Sequence, residues 1–320
     1  MVKECVLFAG LFLVLLNPVF SGDLSIALDS DSGKYVFRES GVAVLAYNFS
    51  TVEPGELLSE VTEENLKYAR ARSDYIHPLY GPGGQLMTLD FPVDHPHHRG
   101  IYWAWPEVEF EGELGDLHAL QKVFARPTGE PETMVTPEFA QLKARNRWLW
   151  EDRTPIVEET VVIRVYPVSS EGRFIDLEFH FKALVDSVTV ARRGTDQYGG
   201  LNVRLNEVTD QVIQFHTDSE DAAPRMAWAE LSGIFKGGTS KLALSIFQKE
   251  SNPDYPGDWV EYPELNWFQP TFPAAGTRFP LKKEAATVLG YRLWIHPEVT
   301  EADQRSVWSV YNKQGLMLQD

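Results

Sequence analysis

Within Arg173–Leu184 the chain alternates from Ile175 to Ala183 without a break: Ile175, Leu177, Phe179, Phe181 and Ala183 are apolar, while Asp176, Glu178, His180 and Lys182 between them are not. A period of two belongs to a β-strand with one face buried and the other wet, and a helix cannot present it. Shorter runs of the same kind recur over 24–28, 35–38, 42–47, 101–105, 157–166, 201–205, 242–247 and 288–296, punctuated by Gly, Pro, Asn and Asp. Many short strands with few stretches of helical period predict an all-β chain, a large antiparallel two-sheet sandwich with few short helices rather than a parallel α/β sheet. The helical exceptions are a short turn near 62–68 and a C-terminal helix that Thr300, Glu301 and Asp303 would open as cap and first turn, ending the chain against the sheet.

The N-terminus sets the expected compartment. Lys3 precedes an apolar run from Cys5 to Phe20 that is short for a membrane span and interrupted by Pro18, and the small residues Ser21 and Gly22 follow. Residues 1–21 therefore read as a signal peptide and 22–320 as one sandwich domain, secreted or periplasmic, with no stable membrane span after cleavage. The one cysteine, Cys5, lies in the leader, so the mature chain has no disulfide and no thiolate metal site. A core drawn from 43% hydrophobic and 12% aromatic residues in 320 is large enough to stand without such staples. The net charge of −17 repels nucleic acid at long range, which excludes it as a partner. No G-x-S-x-G elbow, phosphate-binding loop or dinucleotide fingerprint occurs, so no nucleotide cofactor is expected.

Four of the eight histidines fall between His77 and His98, within R-A-R-S-D-Y-I-H-P-L-Y-G-P-G-G and D-F-P-V-D-H-P-H-H-R-G. Pro96 biases His95 toward an extended conformation, which would aim His95 and His97 to one side and His98 to the other. A turn at Gly81–Gly84 would fold the strand bearing His77 back toward Arg99 and bring in a third imidazole. His77, His95 and His97 are accordingly the expected ligands of a divalent metal, and with Arg99 the expected catalytic residues, moving protons near neutral pH. Arg99 is expected to face an anionic oxygen, with Gly100 leaving room for close approach.

Arg70 and Arg72, one residue apart, could enter one cleft, where planar donors suit a carboxylate, a sulfate or a vicinal diol. Tyr75, Tyr80, His98 and His296 are further candidates for substrate contact. Trp103, Trp148 and Trp294 read as core, whereas Trp259 and Trp267, in a polar Pro-rich loop, read as an exposed wall on which sugar C–H faces could stack. His118, His180 and His216 read as structural or solvated.

The segments Arg72–Tyr80, Asp94–Gly100, Tyr198–Leu201, Asn252–Trp259 and Tyr291–His296 resemble a bacterial family of exported proteins labelled methane oxygenase PmoA-like. The resemblance implies a sandwich similar to galactose-mutarotase-like folds, a setting in polysaccharide breakdown, and His77, His95, His97, His98 and Arg99 as site residues. One departure is Glu250, where a histidine-proline pair is expected before Asn252. Three functions follow as expectations: a carbohydrate lyase, hydrolase or epimerase; a non-catalytic glycan-binding sandwich; or a metal-dependent oxygenase, as the label implies.

Overall fold

Alternating strands that bury one face need a second apolar layer to cover it, and this chain supplies one from its own sequence. The computed structural model describes residues 22–217 and 226–318, so the expected leader lies outside the described residues. One sheet runs, edge to edge, Leu24–Asp29, Lys34–Glu39, Val42–Asn48, Tyr75–Leu79, Ile101–Ala104, Gly200–Arg204, Trp267–Pro270 and Trp259–Tyr262; we call it the site sheet. The second, longer-stranded sheet runs Val208–His216, Trp228–Phe235, Leu242–Gln248, Thr287–His296, Arg173–Ala183, Thr154–Val165, Ala140–Trp150 and Val123–Pro127, with Glu132–Val135 also paired to Ala140–Trp150. A small four-stranded sheet, built on Glu107–Phe110 and Thr189–Ala191, flanks them. Neighbouring strands pair antiparallel, as the alternation predicts.

The two large sheets meet through aromatic side chains. Trp103 of the site sheet lies 5.1 Å from Phe179 and 5.0 Å from Phe181 of the long sheet, and Trp105 lies 5.6 Å from Trp148, measured between ring centres. Trp103, Trp148 and Trp294 are all buried, as expected. Each such side chain contributes about 1.5–3 kcal/mol of burial free energy. Trp105, also buried, donates from Nε1 to the Phe272 carbonyl at 2.7 Å, so its one polar atom is satisfied.

The strand that opened the sequence reading departs from it on its polar face. Asp176 and Glu178 are buried rather than wet. Arg292 on the neighbouring strand forks onto Asp176 at 2.7 and 2.8 Å, and Glu178 accepts from the backbone N–H groups of Met317 and Leu318. The C-terminal segment folds back over one end of this face, so Asp176 and Glu178 are buried with partners, while His180 is half-buried and Lys182 stays exposed as the alternation predicts. The helix leading into that segment, Glu301–Lys313, begins as expected: Thr300 Oγ1 accepts from Asp303 N–H and Asp303 accepts from Thr300 N–H, a reciprocal capping box. Trp228 Nε1 donates to Gln304 Oε1 at 2.8 Å and docks the helix on the sheet. Among the described residues, no helix is long and apolar enough to cross a membrane.

In Ile101–Ala104 the pleat separates two jobs. Trp103 points into the core, while Tyr102 points to the outer face of the site sheet, where it groups with Tyr75 and Ala104 apart from the main core.

Candidate functional site

The histidine motif is carried on an excursion from the sheet. Asp90 and Arg99 face each other as a bridge at its base, and Phe91 N–H donates to the His98 carbonyl above it. Within the excursion His95 N–H donates to the Pro92 carbonyl at 3.0 Å and His98 N–H to the His95 carbonyl at 2.8 Å. These are tight turns, not a strand, so the period-two reading that sent His98 away from His97 does not apply. Both imidazoles converge, with ring centres 4.6 Å apart.

The third imidazole comes from His118, which sequence reading had set aside as structural or solvated. Its loop is shaped by Asp116, which accepts from Ala119 N–H at 2.8 Å. From beneath, Arg72 donates to the carbonyls of Leu117 and His118 while its guanidinium lies 4.2 Å over the Tyr102 ring. Arg72 is thus buried as a brace for the His118 loop, and Arg70 is exposed and bonded to the Lys67 carbonyl; the two do not share a cleft. One ring nitrogen each from His97, His98 and His118 lies within 4.8 Å of the others. Two ligands at ~2.1 Å from one ion stand ~3.4 Å apart at the tetrahedral angle. The widest pair therefore has to draw in by up to ~1.4 Å, a movement that ring rotation supplies.

Hydrogen bonding decides which nitrogen of His118 is available. The Tyr102 hydroxyl lies 3.1 Å from the His97 carbonyl and 3.0 Å from His118 Nδ1; the carbonyl can only accept, so the arrangement that satisfies both contacts has the hydroxyl donating to the carbonyl and accepting from His118 Nδ1–H. His118 then carries its lone pair on Nε2, the arrangement that fixes a metal-binding imidazole in orientation and tautomer. On His97 and His98, Nδ1 is enclosed without a hydrogen-bond partner. Burial holds all three rings neutral: His97 is pushed down to about 3, with Arg72 and His95 adding to the effect, and His98 and His118 go well below the usual imidazole range. Neutral imidazoles are the form that binds a metal. We predict that Tyr102→Phe leaves the chain folded but weakens metal affinity about 10–100-fold, as loss of an orienting partner does; competition against a chelator of known affinity measures it.

Above the three rings opens a cavity of about 600 Å³, lined by Tyr68, His95, His97, His98, His118, Arg193, Tyr198, Tyr262, Glu264 and Trp267, among others. His95 sits on its wall, 3.1 Å from Asp94. Trp267 also lines it, although at 4% exposure it is buried, not projecting as expected, with its ring against His98 and stacked on Tyr262. Arg193 is held by Asp116.

Other expected residues lie elsewhere. The Gly81–Gly84 turn does fold the chain back, but it delivers Thr88 to His77, whose Nδ1 lies 3.0 Å from Thr88 Oγ1; His77 does not line the cavity or join the three-imidazole group. Arg99 faces inward, paired with Asp90 and donating to the Tyr75 hydroxyl at 2.7 Å, so its anion is one of the chain's own. Tyr75 is buried in that contact, and Tyr80 lines a different hollow. Trp259 is half-buried, donating to the Met226 carbonyl at 2.9 Å and stacked on Phe268. His296, in the long sheet, is buried between Ser245 Oγ at 2.8 Å and the Pro297 carbonyl at 2.6 Å. Sequence reading missed His118 because a single histidine in an acidic loop carries no spacing signal. Tyr68, Tyr198 and Tyr262 are spread over the chain and likewise had no shared pattern.

The model of a family of unknown function, DUF6807, matches residues 34–309. No curated protein matches the sequence. Among solved structures, a protein assigned as a kojibiose phosphorylase from the human microbiome is similar at 9% identity and a TM-score of 0.32, over 67% of this chain and 25% of its own. A polysaccharide lyase is similar at 12% identity and a TM-score of 0.27, over 87% of this chain and 33% of its own. The chain thus spans a quarter to a third of those proteins, and both likenesses are too distant to bear on activity.

Proposed function

The chain belongs to the family of unknown function DUF6807, and we propose that it is a carbohydrate-active enzyme, a lyase, hydrolase or epimerase, whose site is the cavity over His97, His98 and His118 with a divalent metal ion held by those three rings. The observation that carries the reading is the hydrogen-bond chain from His118 Nδ1–H through the Tyr102 hydroxyl to the His97 carbonyl, which leaves Nε2 free beside two imidazoles with enclosed, unpartnered nitrogens. Three protein ligands leave a position open, where an ion polarises a sugar oxygen or a bound water.

The surroundings suit a sugar. Tyr68, Tyr198, Tyr262 and Trp267 present ring faces or edges to the cavity, and sugar C–H faces stack on such rings while polar neighbours read hydroxyls. A cavity of about 600 Å³ falls within the size range of small-ligand sites. His95, paired with Asp94 on the cavity wall, is positioned to carry protons to and from the substrate. The same three imidazoles support the oxygenase reading that the PmoA-like resemblance implies, since imidazole also suits copper and iron.

The test is a polysaccharide panel assayed for new reducing ends and unsaturated products, with the chain metal-loaded and then chelated. Turnover that chelation removes and added metal restores is expected. Glycan binding without turnover by the loaded protein identifies a binding module. Metal-dependent dioxygen consumption without bond cleavage identifies the oxygenase.

A further inference from the structure

The strand Gly200–Arg204 sends Val203 into the core and, by the same pleat, places Asn202 and Arg204 on the outer face of the site sheet. Across the sheet Asn202 pairs with Tyr102 and Arg204 with Trp267, and directly opposed residues share a face. Arg204 therefore lies beside the ring that walls the cavity.

Its guanidinium is an exception in this molecule. Among the described residues six arginines are buried: Arg72, Arg99, Arg173, Arg192, Arg204 and Arg292. Arg72 has two carbonyls, Arg99 has Asp90, Arg173 has Glu39, Arg192 has Asp258 and Arg292 has Asp176. Arg204, 5% exposed, makes no side-chain hydrogen bond or ion pair with any described residue, and its Nε and Nη1 are enclosed with no acceptor. Trp267 Nε1 is another enclosed donor without a partner. The carboxylates whose charge reaches Arg204 through space, Asp94 and Glu264, both line the cavity, and neither comes within ion-pair distance.

An unpaired buried charge is costly, and a fold that pairs five such groups and leaves the sixth directly behind the cavity's lining, beside Trp267, is built to have that partner supplied from outside. An ion on the three histidines would add positive charge to the same corner, so what completes the site must be an acceptor carrying negative charge. We infer that the cavity takes a sugar bearing a carboxylate, a uronate, whose anionic oxygens accept from the Arg204 guanidinium. This rests on the carbohydrate reading above and narrows it to acidic glycans.

Calorimetric titration of the full chain with matched trisaccharides, neutral and uronate-containing in both the galacturonate and glucuronate series, tests it. The wild type should prefer a uronate-containing sugar by about tenfold or more, the scale of a charge-assisted contact. Arg204→Gln should bring the two sugars to parity without lowering the melting temperature, because it removes a charge that the unliganded fold leaves unpaired. Should that variant unfold, Arg204→Lys, which keeps the charge but loses the planar fork, should retain only part of the preference. Equal affinity for neutral and acidic sugars, or a preference that survives Arg204→Gln, overturns the inference and leaves the carbohydrate reading standing. If neither sugar binds, thermal stabilisation by succinate separates the two ideas: an effect lost in Arg204→Gln keeps the anion site and removes the sugar, and no effect removes both.

Discussion

His118→Ala is expected to cost the chain its metal ion and its metal-dependent turnover together. With three protein ligands, loss of one leaves a two-histidine site with no orienting hydrogen bond. Since losing an orienting partner alone costs 10–100-fold in affinity, losing the ligand itself should cost on the order of 100-fold or more. Stability should fall by about 2–3 kcal/mol, because a buried ring packed on Tyr102 and Trp267 is lost, but the variant should still fold, because the loop keeps its own supports: Asp116 still accepts from Ala119 N–H, and Arg72 still holds the Leu117 and residue-118 carbonyls. Metal content after dialysis, read beside a melting curve, separates ligand loss from unfolding. Full metal retention in a folded variant would remove His118 from the site.

Gly100→Ala should be the most damaging small change in the histidine motif, and through the fold. Gly100 has φ of +68°, and a Cβ there would meet the Ile76 carbonyl oxygen at 2.3 Å, a backbone atom that cannot swing away. The left-handed conformation costs a residue with a Cβ about 1–2 kcal/mol and forced overpacking typically about 1–3 kcal/mol more. A loss of about 2–5 kcal/mol, measured by denaturant unfolding, is therefore expected. Sequence reading had taken this glycine as room for a ligand to approach. The close approach is instead between two strands of the site sheet, and it is what lets the chain leave the excursion at His98 and Arg99 and enter Ile101–Ala104. A variant within 0.5 kcal/mol of the wild type would show that the motif can shift at little cost.

What could be read in advance follows from the range of each interaction. Strand alternation is local, so the sandwich and runs such as 42–47 and 288–296 could be read from the residues alone, and the Thr300 cap was visible for the same reason. Burial of Asp176 and Glu178 was not, because it depends on residues 317–318 returning over a strand more than a hundred positions earlier. The site divides in the same way. Histidine density marked His97 and the motif correctly as a place, but its geometry was inferred from strand rules, and turns at Pro92–His98 bring His97 and His98 together. His118 reaches them only through Arg72 and Tyr102, two long-range contacts with no trace in spacing. Arg99 drew attention as the anion-facing residue, whereas among the described residues the buried arginine left without a partner is Arg204, in a strand that gave no sign of function.

Titration of the metal-free chain with Co²⁺, followed by absorption, tests the three-histidine centre most directly. One equivalent per chain should saturate a nitrogen-ligand spectrum, and this should vanish in His97→Ala, His98→Ala and His118→Ala but survive in His77→Ala. No saturable binding in the wild type, or binding that follows His77 and not His118, would contradict the account.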